Sequence, residues 1–353
     1  MTDRRAVRVG VTCVGGRFVF DALQALRAAP DLDVTIIGMD AVAESSGKLF
    51  VDRFVQVPFA SQDPRGFVKA LFQICQEQAI DVVVLWSEAE TRAVAQYGSD
   101  RAPSLLKTTA DQPEVAAIVT HKGRLFDALN ERGVDVGPYQ RAMDFRSVRR
   151  ALEDLGYPER SMVIKPCEGT GSRGVLIANA TILSYTPLLS AERLCGTGTI
   201  EALEAVVREY DASWEDVLIM PFYGGDVYDV DCLAVHGTAV DVVPRKRQYS
   251  NPLSPVNEGC VVAMEPDLIA YAKRLGKTLG VHGVCDFDLV RDEEGRPRLL
   301  DASLRMSGSI AASCVVGINF PAQLIRILLD LPLKHYDVID GTVLRPIHHF
   351  IAV

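Results

Sequence analysis

Apolar residues in the first hundred positions form short continuous runs that alternate with segments of helical spacing. The strand-like runs are AVRVGVTCV (6–14), VTIIGMD (34–40), FVQVP (54–58) and VVVLW (82–86), and the helix-like segments are FVFDALQALRAA (18–29) and residues 64–79. Strands that alternate with helices are typical of a parallel α/β domain. We therefore predict such a domain over residues 1–108, where the pattern ends.

The pattern changes in residues 109–353. Helical spacing recurs near 121–132, 145–155, 200–210, 266–279 and 319–331, and strand-like segments lie near 162–166, 174–178, 216–222, 227–235, 238–244 and 258–263, followed by a long hairpin at 283–303. Helices mixed with antiparallel strands predict an α+β body rather than a second parallel α/β domain.

Composition narrows the class of protein. The net charge of −9 and the pI near 5.3 leave no basic face for nucleic acid. The longest apolar runs have strand length, and neither a membrane span nor a signal core is expected. Eight scattered cysteines without a CxxC pair, and six histidines without HExxH, indicate reduced thiols and no transition-metal site. We expect a cytoplasmic protein.

The run KPCEGTGSRGV (165–175) contains the pattern GxGxxG. A dinucleotide site requires a helix directly after the glycines, whereas GVLIA (174–178) reads as a strand. A protein kinase would show HRD and DFG motifs downstream, and neither is present. A second phosphate-like sequence, Gly276-Lys277-Thr278, lacks its upstream glycine and lies in an amphipathic helix, so we interpret it as a solvated helix face.

The glycine run instead predicts a flap between two strands that closes over nucleotide phosphates. Lys165 ends the incoming strand and offers a point charge, and backbone N–H groups of the glycines offer donors. A surface hairpin turn with incidental glycines is the alternative interpretation.

The hairpin at 283–303 places carboxylates on one face. If Glu294-Gly295 forms a two-residue turn, Asp288 faces Asp301 and Asp286 faces Ser303. Opposed carboxylates suggest a cation, and grouped hard oxygen ligands suit Mg²⁺. The alternative is an edge hairpin with a polar solvent face.

These motifs resemble the ATP-grasp superfamily over nearly the whole chain, with the greatest likeness to its carbamoyl-phosphate-synthase-like and amino-acid-ligase (carboxylate–amine ligase) branch. The resemblance implies a preATP-grasp domain (1–108) and an ATP-grasp domain (109–353) with a nucleotide-closing lobe at about 160–222 and a metal and substrate lobe at about 223–353. The residues that it assigns to ATP are Lys122, Lys165, Glu168, Gly169, Thr170, Gly171, Ser172, Pro221, Phe222 and Asp226.

In the same way, LLDASLRMSGS (299–309) resembles the family's metal segment, usually E-I-N-P-R. The implied metal ligands are Asp288, Asp301 and Ser303, and the implied ion is Mg²⁺ with Mn²⁺ as the alternative. Four positions depart from the family pattern: Pro221 replaces a glutamate, Asp301 is a shorter acid, Ser303 replaces an asparagine, and Leu304 replaces a proline.

The implied activity is ADP-forming ligation of a small-molecule carboxylate, such as an amino acid, to an amine through an acyl phosphate. Arg305, Arg245 and Arg247 are candidates to contact the transferred phosphate and the carboxylate, although VVPRKRQ (242–248) also fits a solvated basic strand. The acceptor pocket is expected at residues 182–199 and 247–259. Homodimers are common in this family, and the sequence shows no interface. The alternatives are carbamoyl-phosphate-type activation of a small carboxylate, or a nucleotide-binding regulatory protein with a weakened metal site.

Overall fold

A computed structural model describes residues 4–16, 19–98, 107–108, 110, 112–169, 174–189, 194–248 and 258–347. In these ranges the strands form three sheets, of four, six and six strands. The predicted combination of a parallel α/β domain with an antiparallel α+β body is confirmed. None of the helices in the described ranges has both the length and the apolar composition needed to span a bilayer.

The first sheet is parallel, in the order β3-β2-β1-β4. Its strands are β1 (Arg5–Val11), β2 (Leu32–Asp40), β3 (Arg53–Gln56) and β4 (Val82–Val84), and its helices are α1 (Val19–Arg27), α2 (Pro64–Glu77) and α3 (Glu88–Tyr97), with a 3₁₀ helix at Ser46–Phe50. The apolar runs predicted all four strands and the first two helices. Helix α3 was not predicted, although Ser87 and Glu90 form a capping box at its start.

The second sheet has the order β5-β10-β6-β7-β9-β8, and four helices lie in the same part of the sequence. Its strands are β5 (Gln140–Ala142), β6 (Met162–Pro166), β7 (Leu176–Ala178), β8 (Thr186–Pro187), β9 (Gly196–Gly198) and β10 (Val217–Pro221), and the helices are α4 (Pro113–Val119), α5 (Lys122–Glu131), α6 (Phe145–Leu155) and α7 (Ile200–Glu209). Strands β6 and β7 pair antiparallel on either side of the glycine run, as the flap hypothesis requires.

The third sheet is antiparallel, in the order β15-β14-β11-β12-β13-β16. Its strands are β11 (Val227–Val235), β12 (Thr238–Arg247), β13 (Cys260–Val262), β14 (Gly283–Arg291), β15 (Pro297–Ser303) and β16 (Val343–Leu344), and it carries α8 (Pro266–Leu279), α9 (Ile310–Val315) and α10 (Phe320–Leu328). Strand β12 runs three residues further than predicted and therefore includes Arg245 and Arg247.

The first sheet and the third sheet share one hydrophobic core. Val9 of β1 and Leu23 of α1 belong to the same buried cluster as Leu233 of β11 and Phe320 of α10, and all four are at most 1% exposed. Burying each such side chain contributes about 1.5–3 kcal/mol. The two regions therefore pack together, and the boundary near residue 108 stays a prediction. All eight cysteines are free thiols.

Candidate active site

The third sheet aligns a row of charged residues across four strands. Asp301 of β15 lies opposite Asp288 of β14, Asp288 opposite Asp229 of β11, and Asp229 opposite Arg245 of β12. The next row on the same face contains Ser303, Asp286 and Asp231. The predicted pairs Asp288–Asp301 and Asp286–Ser303 are therefore confirmed.

The prediction of a two-residue turn at Glu294-Gly295 is wrong. Arg291 pairs with Pro297, so the loop comprises residues 292–296. The Asp292 side chain holds this loop by accepting hydrogen bonds from the backbone N–H groups of Glu294 (3.1 Å) and Arg296 (2.8 Å). A register shift follows between the pairs Leu289–Leu299 and Asp288–Asp301. This bulge at Leu300 restores the predicted pairing of the carboxylates.

Lys165 connects the second sheet to that bulge. It lies in β6, is 6% exposed, and donates a short hydrogen bond from Nζ to the carbonyl oxygen of Leu300. Its Nζ also lies 5.5 Å from the ring centroid of Phe126. Burial and the repulsion of Lys122 lower the pKa of Lys165 to about 8, although attraction to Asp301 opposes this shift.

Lys122 is the first residue of α5, and its side chain lies beside Asp301, the residue after Leu300. Its Nζ donates to the carbonyl of Gly169 at 2.8 Å and lies 3.2 Å from Oδ2 of Asp301. Burial disfavours its charge, but attraction to Asp301 and Glu88 outweighs burial, and the pKa of Lys122 is raised. Gly169 has a φ of +127°, which favours glycine at the start of the flap.

A network behind Lys122 fixes the start of α5. Nε2 of His121 lies 2.7 Å from Oδ2 of Asp216, and Arg141 donates to the other oxygen of Asp216 at 2.6 Å. Nδ1 of His121 accepts a hydrogen bond from the backbone N–H of Arg124 at 3.2 Å. Because the ring nitrogens of His121 and both oxygens of Asp216 are engaged, this group orients the helix that carries Lys122.

The two arginines of β12 differ in their surroundings. Arg245 is fully buried, lies 2.7 Å from Asp231, and donates to Ser309 (2.7 Å) and Ser307 (3.0 Å). Arg247 contacts Oδ1 of Asp229 at 2.6 Å and Oδ1 of Asp288 at 2.7 Å. Arg247 therefore lies among the candidate metal ligands, whereas protein groups enclose Arg245. Their role with a carboxylate substrate stays a prediction.

The other predicted site residues surround this centre. Nη1 of Arg305 lies 3.8 Å from Asp286, and Asp226 lies 2.6 Å from Nζ of Lys246. Pro221 ends β10, and the backbone N–H of Phe222 donates to Ser161. Their assigned roles with phosphate, ribose and adenine stay predictions. Thr170, Gly171 and Ser172 lie outside the described residues, as do 190–193 and 249–257 of the expected acceptor pocket.

Four residues of the site were not assigned a role from the sequence. Asp229 and Asp231 alternate along β11, a spacing within DVYDVD (226–231) that places both on one face. Glu88 and Arg92 come from the first turns of α3, and the capping box at Ser87 could have revealed that helix. Arg92 lies 2.6 Å from Glu168, at the start of the flap.

Glu88 brings a carboxylate of the first domain to the centre. It is 8% exposed, and burial together with repulsion from Asp301 raises its pKa to about 7, against the attraction of Lys122 and Arg305. Burial and the neighbouring Asp229 and Asp301 likewise raise the pKa of Asp288 to about 6, although Arg247 opposes the shift.

The side chains around Asp288 fit the magnesium that the fold implies. Asp288 and Asp301 are each about one-third exposed, at 32% and 34%, so their oxygens can reach a nucleotide-bound ion. Oγ of Ser303 is buried and has no hydrogen-bond partner among the described residues. An orphaned hydroxyl beside two carboxylates is a donor set that a hard cation accepts.

The chain is similar to known proteins in part of its sequence and in its fold. Residues 213–349 match the family model described as ATP-grasp in the biosynthetic pathway with Ter operon. No curated protein sequence matches the chain. N5-carboxyaminoimidazole synthetase from Staphylococcus aureus, in complex with ADP, superimposes with a TM-score of 0.70 at 13% identity, covering 96% of this chain and 81% of that one.

Two further solved structures are similar. L-amino acid ligase from Bacillus licheniformis has a TM-score of 0.63 at 16% identity, covering 92% of this chain and 75% of that one. The biotin carboxylase domain of Hydrogenobacter thermophilus 2-oxoglutarate carboxylase, in complex with MgADP and bicarbonate, has a TM-score of 0.66 at 14% identity, covering 93% and 70%. The family match covers residues 213–349, and the similarity to these three structures shows that nearly the whole chain has their fold.

Proposed function

We propose that the chain is an ATP-dependent, ADP-forming ligase that joins a carboxylate, such as an amino acid, to an amine through an acyl phosphate. The observation that carries this proposal is the convergence of Lys122, Lys165 and Asp301. These residues lie on α5, β6 and β15, yet Lys122 pairs with Asp301 and Lys165 bonds to the adjacent Leu300. Two lysines beside a carboxylate row form a site for a metal-bound triphosphate.

In the proposed reaction, a carboxylate oxygen of the substrate attacks the γ-phosphorus of ATP while the bond to the β,γ-bridging oxygen breaks. ADP leaves with that electron pair, and an acyl phosphate forms. The amine nitrogen then attacks the acyl carbon, inorganic phosphate leaves with the C–O bonding electrons, and the nitrogen loses a proton. This sequence needs positioned charges and no side-chain nucleophile.

Each positive side chain has a defined task in this scheme. Lys122 and Lys165 neutralise phosphate oxygens, and Lys122 also holds the carbonyl of Gly169 at the base of the flap. Arg305 is 25% exposed and is placed to meet the transferred phosphate or the acyl-phosphate oxygens. Asp288, Asp301 and Ser303 would hold Mg²⁺, which supplies charge neutralisation on the phosphates.

For the carboxylate substrate, Arg247 is the better of the two arginine candidates. Its guanidinium is 13% exposed and lies among Asp229 and Asp288, whereas Arg245 is fully buried and contacts one carboxylate and two hydroxyls of the protein. We assign Arg245 to holding Asp231 and the segment from Ser307 to Ser309. The free thiols support a reducing, cytoplasmic location.

Three similar structures support the chemistry: an N5-carboxyaminoimidazole synthetase and a biotin carboxylase domain, each in complex with ADP, and an L-amino acid ligase. The test is to incubate the protein with Mg²⁺, ATP and pools of amino acids, small carboxylates and amines. ADP and phosphate should be released, hydroxylamine should trap an acyl phosphate as a hydroxamate, and mass spectrometry should identify the amide. Release of AMP and pyrophosphate would contradict the proposal. ATP binding without turnover over the whole panel would favour a regulatory nucleotide-binding protein.

A further inference from the structure

Three aspartates approach one another beside the predicted nucleotide site. One carboxylate oxygen from each of Asp229, Asp286 and Asp288 lies within 4.8 Å of the other two. We call this group the aspartate triplet. Asp229 is on β11 and the other two are on β14, so the paired strands of the third sheet fix their separation. Three carboxylate oxygens at this spacing can share one hard cation.

A second observation concerns polar atoms that lack a partner. Oδ1 of Asp286 and Oγ of Ser303 are buried and accept or donate no hydrogen bond among the described residues. Asp286 is 8% exposed and Ser303 is 7% exposed, and they lie directly opposite each other on β14 and β15. An unpaired buried oxygen costs about 1–3 kcal/mol. Asp286 is itself a member of the triplet, so its orphaned buried oxygen points to a missing ligand at this site.

The protein's own cations do not satisfy Asp286. Arg247 contacts Oδ1 of Asp229 and Oδ1 of Asp288, the other two members of the triplet. The ion pair recorded for Asp286 is with Arg305 at 3.8 Å, beyond hydrogen-bond distance. Asp286 therefore lacks a direct positive partner within the described part of the chain.

We propose that the aspartate triplet binds a divalent hard cation, Mg²⁺ or Mn²⁺, in the absence of nucleotide. This position differs from the nucleotide-linked metal, because it uses Asp229 and Asp286 in place of Asp301 and shares only Asp288. Mg²⁺ at a nucleotide site takes some of its ligands from the substrate phosphates, whereas three carboxylates supply enough negative charge to bind the ion without phosphate. The inference stands apart from the ligase proposal, and its test requires neither ATP nor turnover.

The test is a titration of the full chain with Mn²⁺ in nucleotide-free buffer, with free Mn²⁺ measured by electron paramagnetic resonance. Wild type should bind one Mn²⁺ per chain, displaceable by Mg²⁺. Asp286→Asn should weaken this binding about tenfold or more, because it removes a charged ligand while keeping the shape. Asp301→Asn should leave it unchanged, and Asp337→Asn, a change at a fully exposed acid, controls for surface binding.

Two results would overturn the proposal: no nucleotide-free Mn²⁺ binding by wild type, or equal loss in the Asp301 and Asp286 variants. Circular dichroism checks that each variant is folded. If Asp286→Asn does not fold, anomalous diffraction from nucleotide-free wild-type crystals soaked in Mn²⁺ decides the question. A peak between Asp229, Asp286 and Asp288 supports the site, and a peak at Asp301 alone or no peak rejects it.

Discussion

Lys122 and Asp301 form an ion pair of 3.2 Å between the first turn of α5 and the edge strand of the carboxylate sheet. This pair joins α5 to the third sheet beside its row of carboxylates. Lys122→Met should therefore reduce ATP-dependent turnover about 10²–10³-fold, the usual cost of removing one preorganised charge from a transition state. Steady-state release of ADP measures the effect. Lys69→Met, at an exposed lysine of α2, is the matched control and should retain full activity.

Asp301→Ala should abolish ligation and leave the fold intact. Its side chain is 34% exposed, so water replaces it at little cost to stability, but Lys122 loses its partner and the predicted nucleotide metal loses a ligand. Turnover at saturating Mg²⁺ and thermal unfolding should be measured together. Near-normal turnover in this variant would refute the assignment of Asp301 as a metal ligand.

ATP affinity should fall as the pH rises through about 8. Burial lowers the pKa of Lys165 from 10.5 to about 8, so the lysine loses its proton in this range and phosphate loses a positive partner. By about pH 7 Lys165 is almost fully charged, so its contribution to affinity is nearly complete there. Isothermal titration with ADP across this range tests the sign. Lys165→Arg should flatten the profile, because a guanidinium stays charged throughout.

Arg245→Gln and Arg247→Gln should have different consequences. The first change leaves Asp231 without its cation in a fully buried position and should cost about 3–5 kcal/mol of unfolding free energy. The second should cost less, because the buried Asp229 keeps the attraction of Arg245 and Asp288 is 32% exposed to water, and it should mainly raise the KM of the carboxylate substrate. Chemical denaturation and steady-state kinetics separate the two effects. A lower stability for Arg247→Gln than for Arg245→Gln would contradict this division.

The contact between Arg92 and Glu168 joins the first domain to the start of the flap. Both side chains are substantially exposed, at 35% and 59%, so their coupling in a double-mutant cycle should be at most about 1 kcal/mol of stability. Arg92→Ala and Glu168→Ala should instead raise the KM of ATP, each to a similar degree, and the double variant should add little. Fully additive changes in KM would show that the two residues act separately.

The sequence was sufficient to predict the pairing of Asp288 with Asp301, but for a reason that was partly wrong. Alternation along a strand places both carboxylates on one face, and a two-residue turn gave the correct partner. The actual loop contains residues 292–296, and the bulge at Leu300 compensates for the change in register. The carbonyl of Leu300 at this bulge accepts a hydrogen bond from Lys165, a contact from outside the hairpin that a local sequence pattern does not reveal.

Residues from other elements were harder to predict. Arg245 and Arg247 are identical in type and two positions apart, yet one is enclosed by Asp231 and serines of the segment 307–309, and the other faces the triplet. Burial of this kind is decided by how α9 and the third sheet pack. Glu88 reaches the site only because the first domain packs against the third sheet, a relationship that residues 1–108 alone do not encode.

The bulge at Leu300 also separates the pairing register of the hairpin tip from the pairing of Asp288 with Asp301. Because the register is reset between the tip and Asp301, the length of the loop is not what aligns the two metal carboxylates. The exposed residues 293–295 are therefore a place where the chain can accept an inserted peptide or a fluorescent label. A label in this loop would be attached to the two strands that carry Asp288 and Asp301. The bulge would still set the alignment of these two carboxylates.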